Sequence, residues 1–280
     1  MKNRLWIVFA VVALLSVELN AQVTMPAPSP TQSIRQDFGL GRVELTYSRP
    51  SIKGRKVFGT NSELAPLGKL WRTGANASTK LRFTDNVSVG GKSLDTGTYV
   101  LYTIPNKDSW VIILNKGLTN SGADGYKETE DVVRFNAPVV ANRNHTESFT
   151  IQFADVKNES LNLQLMWGNT LVNVPVTTNI KDRLRTQLEA ALKTERKPFQ
   201  QAATFYYEWD KNYTKALENV NKGIEANPKS FPLYLLKARI EKDMGNSAAA
   251  KASVNKTVEL ATEAKNADYV RMANELLQKK

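Results

Sequence analysis

Hydrophobic and polar residues alternate along much of residues 34–178, and this period of two predicts β-strands. Val43, Leu45 and Tyr47 alternate with polar neighbours, and Gly90-Gly91 allows the positive φ angles of a tight hairpin turn. About nine short strands separated by turn residues predict an antiparallel β sandwich or barrel-like domain over this range. Later strands are predicted over 98–104, 110–114, 131–135, 148–153, 161–167 and 171–176.

One stretch departs from the alternation. Val111-Ile112-Ile113-Leu114 is apolar throughout, which indicates a central strand that is buried on both faces. The segments between the predicted strands contain Gly, Pro, Asn and Asp, as at Gly168-Asn169, and these residues predict turns.

The pattern becomes helical after residue 178. Leu184, Leu188 and Leu192 are four residues apart and share one face of a helix predicted near 181–196. Pro198 is placed to begin the next helix, where its missing N–H costs little. The chain therefore divides into a β region and a separate α-helical region over residues 181–280.

The helical region contains a repeat of 34 residues, the spacing between Ala216 and Ala250 and between Lys211 and Gly245. Its first unit resembles a tetratricopeptide repeat, and its second unit retains fewer of the typical residues. A capping helix is predicted over 267–279. The first unit has aromatic, small and proline residues at the typical positions: Tyr207, Tyr213, Ala216, Gly223 and Pro228.

The N-terminus is typical of a secretory signal peptide. Lys2 and Arg4 precede an apolar run that is shorter than the roughly 20 residues of a membrane-spanning helix. We therefore predict a signal peptide over 1–21, a Pro-rich lead-in over 22–33, and a periplasmic or extracellular chain without a transmembrane span. The alternative is an uncleaved anchor.

Composition excludes several kinds of chemistry. The chain has no Cys, which excludes disulfides, thiolate zinc sites and a Cys nucleophile. Its formal net charge is +11, which favours anionic partners. Export and the lack of a recognisable nucleic-acid module disfavour nucleic acid. No cofactor is predicted, because no phosphate-binding Gly-rich loop leads from a strand into a helix. No metal site is predicted, because the chain has no Cys and a single His.

Two polar segments are weaker candidates for chemistry. The single His, His145, lies in a polar stretch and is either a general base or, as we favour, a solvated side chain. An acidic stretch could bind a hard cation, but it lacks the spacing of a calcium loop and is better explained as solvated. Its members are Asp124, Glu128, Glu130 and Asp131.

Basic residues are concentrated between Arg35 and Arg82, where ten basic residues stand against three acidic ones. Guanidinium groups on loops bind carboxylate, phosphate or sulfate well, and an aromatic ring can stack on a sugar. The alternative is a structural role, with Arg side chains bridging loops and the Trp side chain in the core. The candidate ligand-binding residues are Arg49, Lys53, Arg55, Trp71, Arg72 and Asn76.

Two segments of this basic stretch have a distinctive sequence. Residues 47–55 read YSRPSIKGR and residues 71–76 read WRTGAN, and Gly97-Thr98-Tyr99 and the segment 110–116 follow in order. Together they resemble the exported bacterial family called domain of unknown function 2911, over about residues 33–176. The resemblance implies an exported all-β domain without an established activity. Many members carry an acidic residue after the Asn of WRTGAN, where this chain has Ala77.

The sequence thus favours a non-enzymatic, exported binding or scaffolding protein. Its basic loops would bind an anionic or glycan ligand of the envelope, and its helical tail would contact a protein partner. One alternative is an envelope enzyme in which Arg49 and Arg72 orient an anionic or glycan substrate and unidentified carboxylates transfer protons. Another is a purely structural subunit.

Overall fold

A computed structural model describes residues 25–278. The predicted signal peptide and the first residues of the predicted lead-in lie outside this range. The chain divides into two compact units, one ending at Val176 and the other beginning at Thr177. Strands form the first unit and helices form the second, which confirms the predicted order of a β region followed by an α-helical region.

Eleven strands and one short 3-10 helix (Glu128–Glu130) build the first unit. Nine of the strands hydrogen-bond in one antiparallel order, and two very short ones form a separate parallel pair. The strands are β1 (Thr31–Phe38), β2 (Gly41–Ser48), β3 (Phe58–Gly59), β4 (Ala65–Pro66), β5 (Thr79–Phe83), β6 (Val87–Val89), β7 (Lys92–Leu94), β8 (Gly97–Ile104), β9 (Ser109–Asn115), β10 (Asp131–Ala154) and β11 (Ser160–Thr177).

The sheet order is β1-β2-β5-β8-β9-β10-β11-β6-β7, and β10 joins its two parts. The first part of β10, up to Pro138, pairs with β9, and the rest of the strand pairs with β11. Apolar side chains from both parts meet in one core, so the sheet is folded over on itself as a sandwich. The order ends at β1 and at β7, and the sheet does not close into a barrel.

The core confirms the predicted central strand. Ile112 and Leu114 of β9 lie in the main core, whereas Ile113 packs on the opposite face with Val100 and Tyr102. All three β9 residues are at most 1% exposed. A strand that is buried on both faces has no polar side to alternate with, which explains its continuous apolar run.

Two strands are longer than the sequence predicts. The predicted strands 131–135 and 148–153 are parts of β10, and 161–167 and 171–176 are parts of β11. The predicted turn at Gly168-Asn169 is wrong. Gly168 has a φ of 56° and faces shifts in the β10–β11 register, so its backbone freedom serves an irregularity within a strand.

Among the described residues, six helices form the second unit, and the first of them, predicted near 181–196, ends at Ala191. Leu184, Leu188 and Leu192 pack against the helical core, and Pro198 precedes the second helix. Across residues 25–278, no helix is both long and apolar enough to cross a membrane. The helices are α1 (Lys181–Ala191), α2 (Phe199–Glu208), α3 (Tyr213–Ala226), α4 (Phe231–Asp243), α5 (Ser247–Glu263) and α6 (Ala267–Gln278).

The 34-residue spacing corresponds to two helical hairpins, α2–α3 and α4–α5. Asn212 and Asn246 occupy the same place in each hairpin, and each side chain accepts a hydrogen bond from the backbone N–H three residues later. Lys211 and Gly245, which precede these caps, both have positive φ angles. The repeat in the sequence is therefore a repeat of the turn between paired helices.

Candidate functional site

The YSRPSIKGR segment leaves β2 and is fixed to β10 by backbone hydrogen bonds. The Phe149 N–H donates to Pro50 O at 2.8 Å, and the Ile52 N–H donates to Glu147 O at 3.0 Å. Lys53 and Gly54 then adopt φ angles of 47° and 73°, which reverse the chain. This anchoring presents the following basic residues on a short, well-defined loop.

Two arginines of this segment are held by oxygen atoms that carry no formal charge. Arg49 donates from Nε to Phe149 O at 3.2 Å and from Nη2 to Thr150 Oγ1 at 2.7 Å. Arg55 donates from Nε to Ile52 O at 3.1 Å and from Nη2 to Ser51 O at 2.7 Å. These bonds orient both guanidinium groups without neutralising them.

A cavity of about 490 Å³ lies beside Arg55, and we call it the 55–63 cavity. The parallel pair β3–β4 brackets its loop, and Phe58 of β3 packs against Trp110 and Trp167 of the core. Ser62 fixes the loop, because its hydroxyl donates to Val57 O at 2.6 Å. The lining residues are Arg55, Lys56, Gly59, Thr60, Asn61, Ser62 and Glu63.

The 55–63 cavity exposes polar groups that have no partner within the part of the chain that the structure describes. The side chains of Lys56, Thr60, Asn61 and Glu63 are exposed and make no hydrogen bond or ion pair there. Sequence reasoning had missed Thr60, Asn61 and Glu63 as site residues. These residues lie close together in the chain, but no alternation of polar and apolar positions marks them as a site.

Six basic side chains in and beside the two motif segments share one electrostatic property. Within residues 25–278, none of them forms an ion pair with a carboxylate. Neighbouring cations behave differently, since Arg42 and Arg82 both pair with Glu44 and help to lower the pKa of that carboxyl group. The six are Arg49, Lys53, Arg55, Lys56, Lys69 and Arg72.

Trp71 lies in the core of the β unit. Its ring stacks on Trp167 at 5.6 Å between centroids and meets Phe149 at 4.9 Å, and the residue is 6% exposed. Its Nε1–H donates to Gly74 O at 3.1 Å. The indole therefore contributes packing energy and offers no free face to a sugar.

Arg72 and Asn76 form a separate pair. Arg72 Nη1 donates to Asn76 O at 2.8 Å, and Asn76 Nδ2 donates to Ser29 O at 3.0 Å. No hydrogen bond or ion pair within the described chain connects them to Arg49, Lys53 or Arg55. The six predicted ligand-binding residues thus lie in three places. Arg49, Lys53 and Arg55 lie in the segment after β2, Trp71 lies in the core, and Arg72 and Asn76 form a separate hydrogen-bonded pair.

The weaker candidates are held by their neighbours. His145 Nδ1 lies 3.1 Å from Asn169 Oδ1, and its Nε2 lies 3.8 Å from Glu147 Oε2. In the acidic stretch, Asp131 accepts hydrogen bonds from Tyr126 and Arg134. Burial and the neighbouring Asp131 carboxylate raise the pKa of Tyr126 to about 12. Among residues 25–278, no three His, Asp or Glu side chains are grouped to hold a metal ion.

The helical unit has an apolar cavity of its own, about 560 Å³ in volume, between α1 and α2. Leu184, Leu188, Phe205 and Trp209 line it, together with uncharged polar side chains. Of the four aromatic residues at positions 206, 207, 209 and 213, Tyr206 is buried in the helical core, and the other three pack against that core. The other three are Tyr207, Trp209 and Tyr213.

Comparison with protein families identifies the family of the β unit. A family model described as "Protein of unknown function (DUF2911)" matches residues 29–176, which is more than half of the chain. The matched range contains both basic motif segments and the 55–63 cavity, and it ends where the β unit ends. No curated protein matches the chain.

Proposed function

The chain belongs to the DUF2911 family of proteins of unknown function, and on this premise we propose that it is an exported binding protein whose β unit binds an anionic ligand at the 55–63 cavity. One observation carries the proposal. The cations around this cavity are oriented or exposed, yet within residues 25–278 no carboxylate pairs with them. Arg42 and Arg82, by contrast, both pair with Glu44.

The geometry of Arg55 favours binding. Two of its nitrogens are fixed by backbone carbonyls, so less side-chain entropy is lost when the remaining donors meet an anion. Charge-assisted hydrogen bonds to phosphate, sulfate or carboxylate are stronger than neutral ones. Lys56 adds a second positive charge, and Thr60 and Asn61 offer neutral polar contacts that suit the hydroxyl groups of a glycan.

The place of action follows from the N-terminal sequence. A signal peptide over 1–21 would deliver the chain to the periplasm or the outside of the cell, where acidic glycans and phosphorylated lipids are abundant. The formal net charge of +11, of which Lys2, Arg4 and Glu18 of the proposed signal peptide account for only +1, would raise the local concentration of such partners before specific contacts form.

We assign protein contact to the helical unit. Its two hairpins share a 34-residue spacing and the same Asn cap, which supports a tetratricopeptide-like repeat over residues 199–263. The apolar cavity between α1 and α2 adds exposed hydrophobic surface to this unit. The β unit would then bind the ligand and the helical unit would bind a protein partner.

A thermal-shift screen of the purified chain tests the ligand proposal. The panel contains phosphate, sulfate, acidic glycans and phosphorylated sugars at low and at high salt. Ligand at 100 times its dissociation constant stabilises the folded state by about 2.7 kcal/mol, which raises Tm by several degrees. We expect at least one anion to do this, and we expect high salt to weaken the effect.

Arg55→Gln is the decisive variant and Arg35→Gln is its matched control. Both remove one positive charge, but Arg35 lies on β1 and pairs with Asp37 at 3.3 Å. The anion-induced rise in Tm should be lost in Arg55→Gln and kept in Arg35→Gln. Equal loss in both variants would reduce the effect to net charge, and no loss in either would refute the site.

A further inference from the structure

We propose that the 55–63 cavity selects ligands that carry a primary ammonium group beside their anionic group. This inference rests on the proposed function and adds the class of ligand. The sequence segment that forms the cavity contains one carboxylate, that of Glu63, among two cations. A site built for anions alone would gain from having no carboxylate there.

Glu63, like the two cations that line the same cavity, forms no ion pair within residues 25–278. Its side chain is exposed and pairs with no cation among the described residues, although Lys56 lines the cavity with it. The cavity therefore presents separate positive and negative groups that have not neutralised each other. A ligand with an anion at one end and an ammonium at the other satisfies both.

A zwitterion can use all three charged groups of the cavity, whereas a simple anion can use only the two cations. An anion bound to Arg55 and Lys56 is repelled by the Glu63 carboxylate, and an ammonium on the same ligand that lies near Glu63 offsets that repulsion. Thr60 and Asn61 lie between them in sequence and can bond to hydroxyl or amide groups of the same ligand. Amino sugars with an acidic substituent and amino acids with an extra carboxylate both have this chemistry.

Two matched pairs of probes measure the preference and separate the two sources. Glucosamine 6-phosphate and glucose 6-phosphate differ in an ammonium against a hydroxyl, and glutamate and glutarate differ in the presence of the ammonium. Equilibrium titration of the wild-type chain should give about two- to fivefold tighter binding of the ammonium-bearing member, the range of an exposed ion pair. The pair with the tighter binding identifies the sugar or the amino acid as the source.

Glu63→Gln should abolish the preference and leave glucose 6-phosphate or glutarate bound equally or more tightly. Asp37→Asn is the control, since Asp37 is an exposed carboxylate on β1 outside the cavity, and it should keep the preference. Wild-type binding without a preference, or a preference that survives Glu63→Gln, would overturn this inference and leave anion binding in place. If none of the four probes binds and no anion stabilises the chain, the proposed function itself fails.

Discussion

Arg55 and Arg35 carry the same charge but have different neighbours, and on this contrast we propose that Arg55, and not Arg35, binds a ligand. Arg35 has a carboxylate beside it, whereas Arg55 has two backbone carbonyls. The sequence indicates which residues are basic but not which of them pair with a carboxylate, because a partner can lie on another strand, as Glu44 does for Arg82. The sequence likewise leaves open whether Trp71 binds a ligand or lies in the core, and the structure places it in the core.

Gly90 and Gly91 allow a test of how single residues affect the stability of the β unit. Both have positive φ angles in the β6–β7 turn, but only at Gly90 would an added methyl group overlap the ring of Phe135. Gly91→Ala should lower the free energy of unfolding by about 1–2 kcal/mol through backbone strain. Gly90→Ala should cost about 1–3 kcal/mol more because of overpacking.

Urea unfolding followed by tryptophan fluorescence measures both substitutions, since the Trp cluster lies in the β core. Replacing Phe135 with Leu in the Gly90→Ala background should recover part of the loss. Equal effects of the two glycine substitutions would show that Phe135 does not cover Gly90.

At the scale of elements, local patterns predict an element best where one face is buried and the other is solvated. The leucines of α1 lie on the buried face of a helix, and the apolar run of β9 is buried on both faces. The sequence predicted both elements. β10 was not predicted as one strand, because the polar run around Asn142 interrupts the alternation of polar and apolar residues. Pairing with β11 nevertheless continues beyond that polar run. Pairing across the sheet, which a local window does not contain, determines the length of this strand.

The repeated Asn caps provide a prediction for the helices. Asn212→Ala should lower the free energy of unfolding by about 1 kcal/mol, since the N–H of Lys215 loses its acceptor. Asn212→Asp should keep most of the stability, because its carboxylate accepts the same bond and favours the helix N-terminus. Circular dichroism at 222 nm during urea unfolding measures both, and an equal loss in the two variants would contradict a capping role.

For the whole molecule, the net charge of +11 means that acid pH destabilises the folded state. Each carboxylate that becomes protonated increases the repulsion among the remaining positive charges. Asp210 is one of the carboxylates that resist protonation. Arg185 Nη2 lies 2.7 Å and Lys181 Nζ 3.2 Å from its Oδ1, and the hydrogen bond from Arg185 is the main cause that lowers the pKa of Asp210. These ion pairs join α1 to the turn after α2.

The direction of this shift fixes the pH dependence. Because the folded-state pKa lies below that of the unfolded chain, about 3.9, the stabilisation is fully present above that value and is lost as pH falls through the folded-state pKa. Asp210→Asn should therefore be less stable than wild type at pH 7, and the difference should shrink as the pH falls below about 4. Helical melting curves from pH 7 to pH 2 measure this, and a constant difference would contradict it.

Binding of inorganic phosphate, followed by isothermal titration at low salt, tests the central claim most directly. Phosphate contains the anion alone, so its binding reports the unneutralised cations of the 55–63 cavity and not the rest of a ligand. The account predicts saturable binding to the wild-type chain and to Arg35→Gln, and at least tenfold weaker binding, about 1.4 kcal/mol, when Arg55 and Lys56 are both replaced by Gln. Equal phosphate affinity in all three proteins would contradict it.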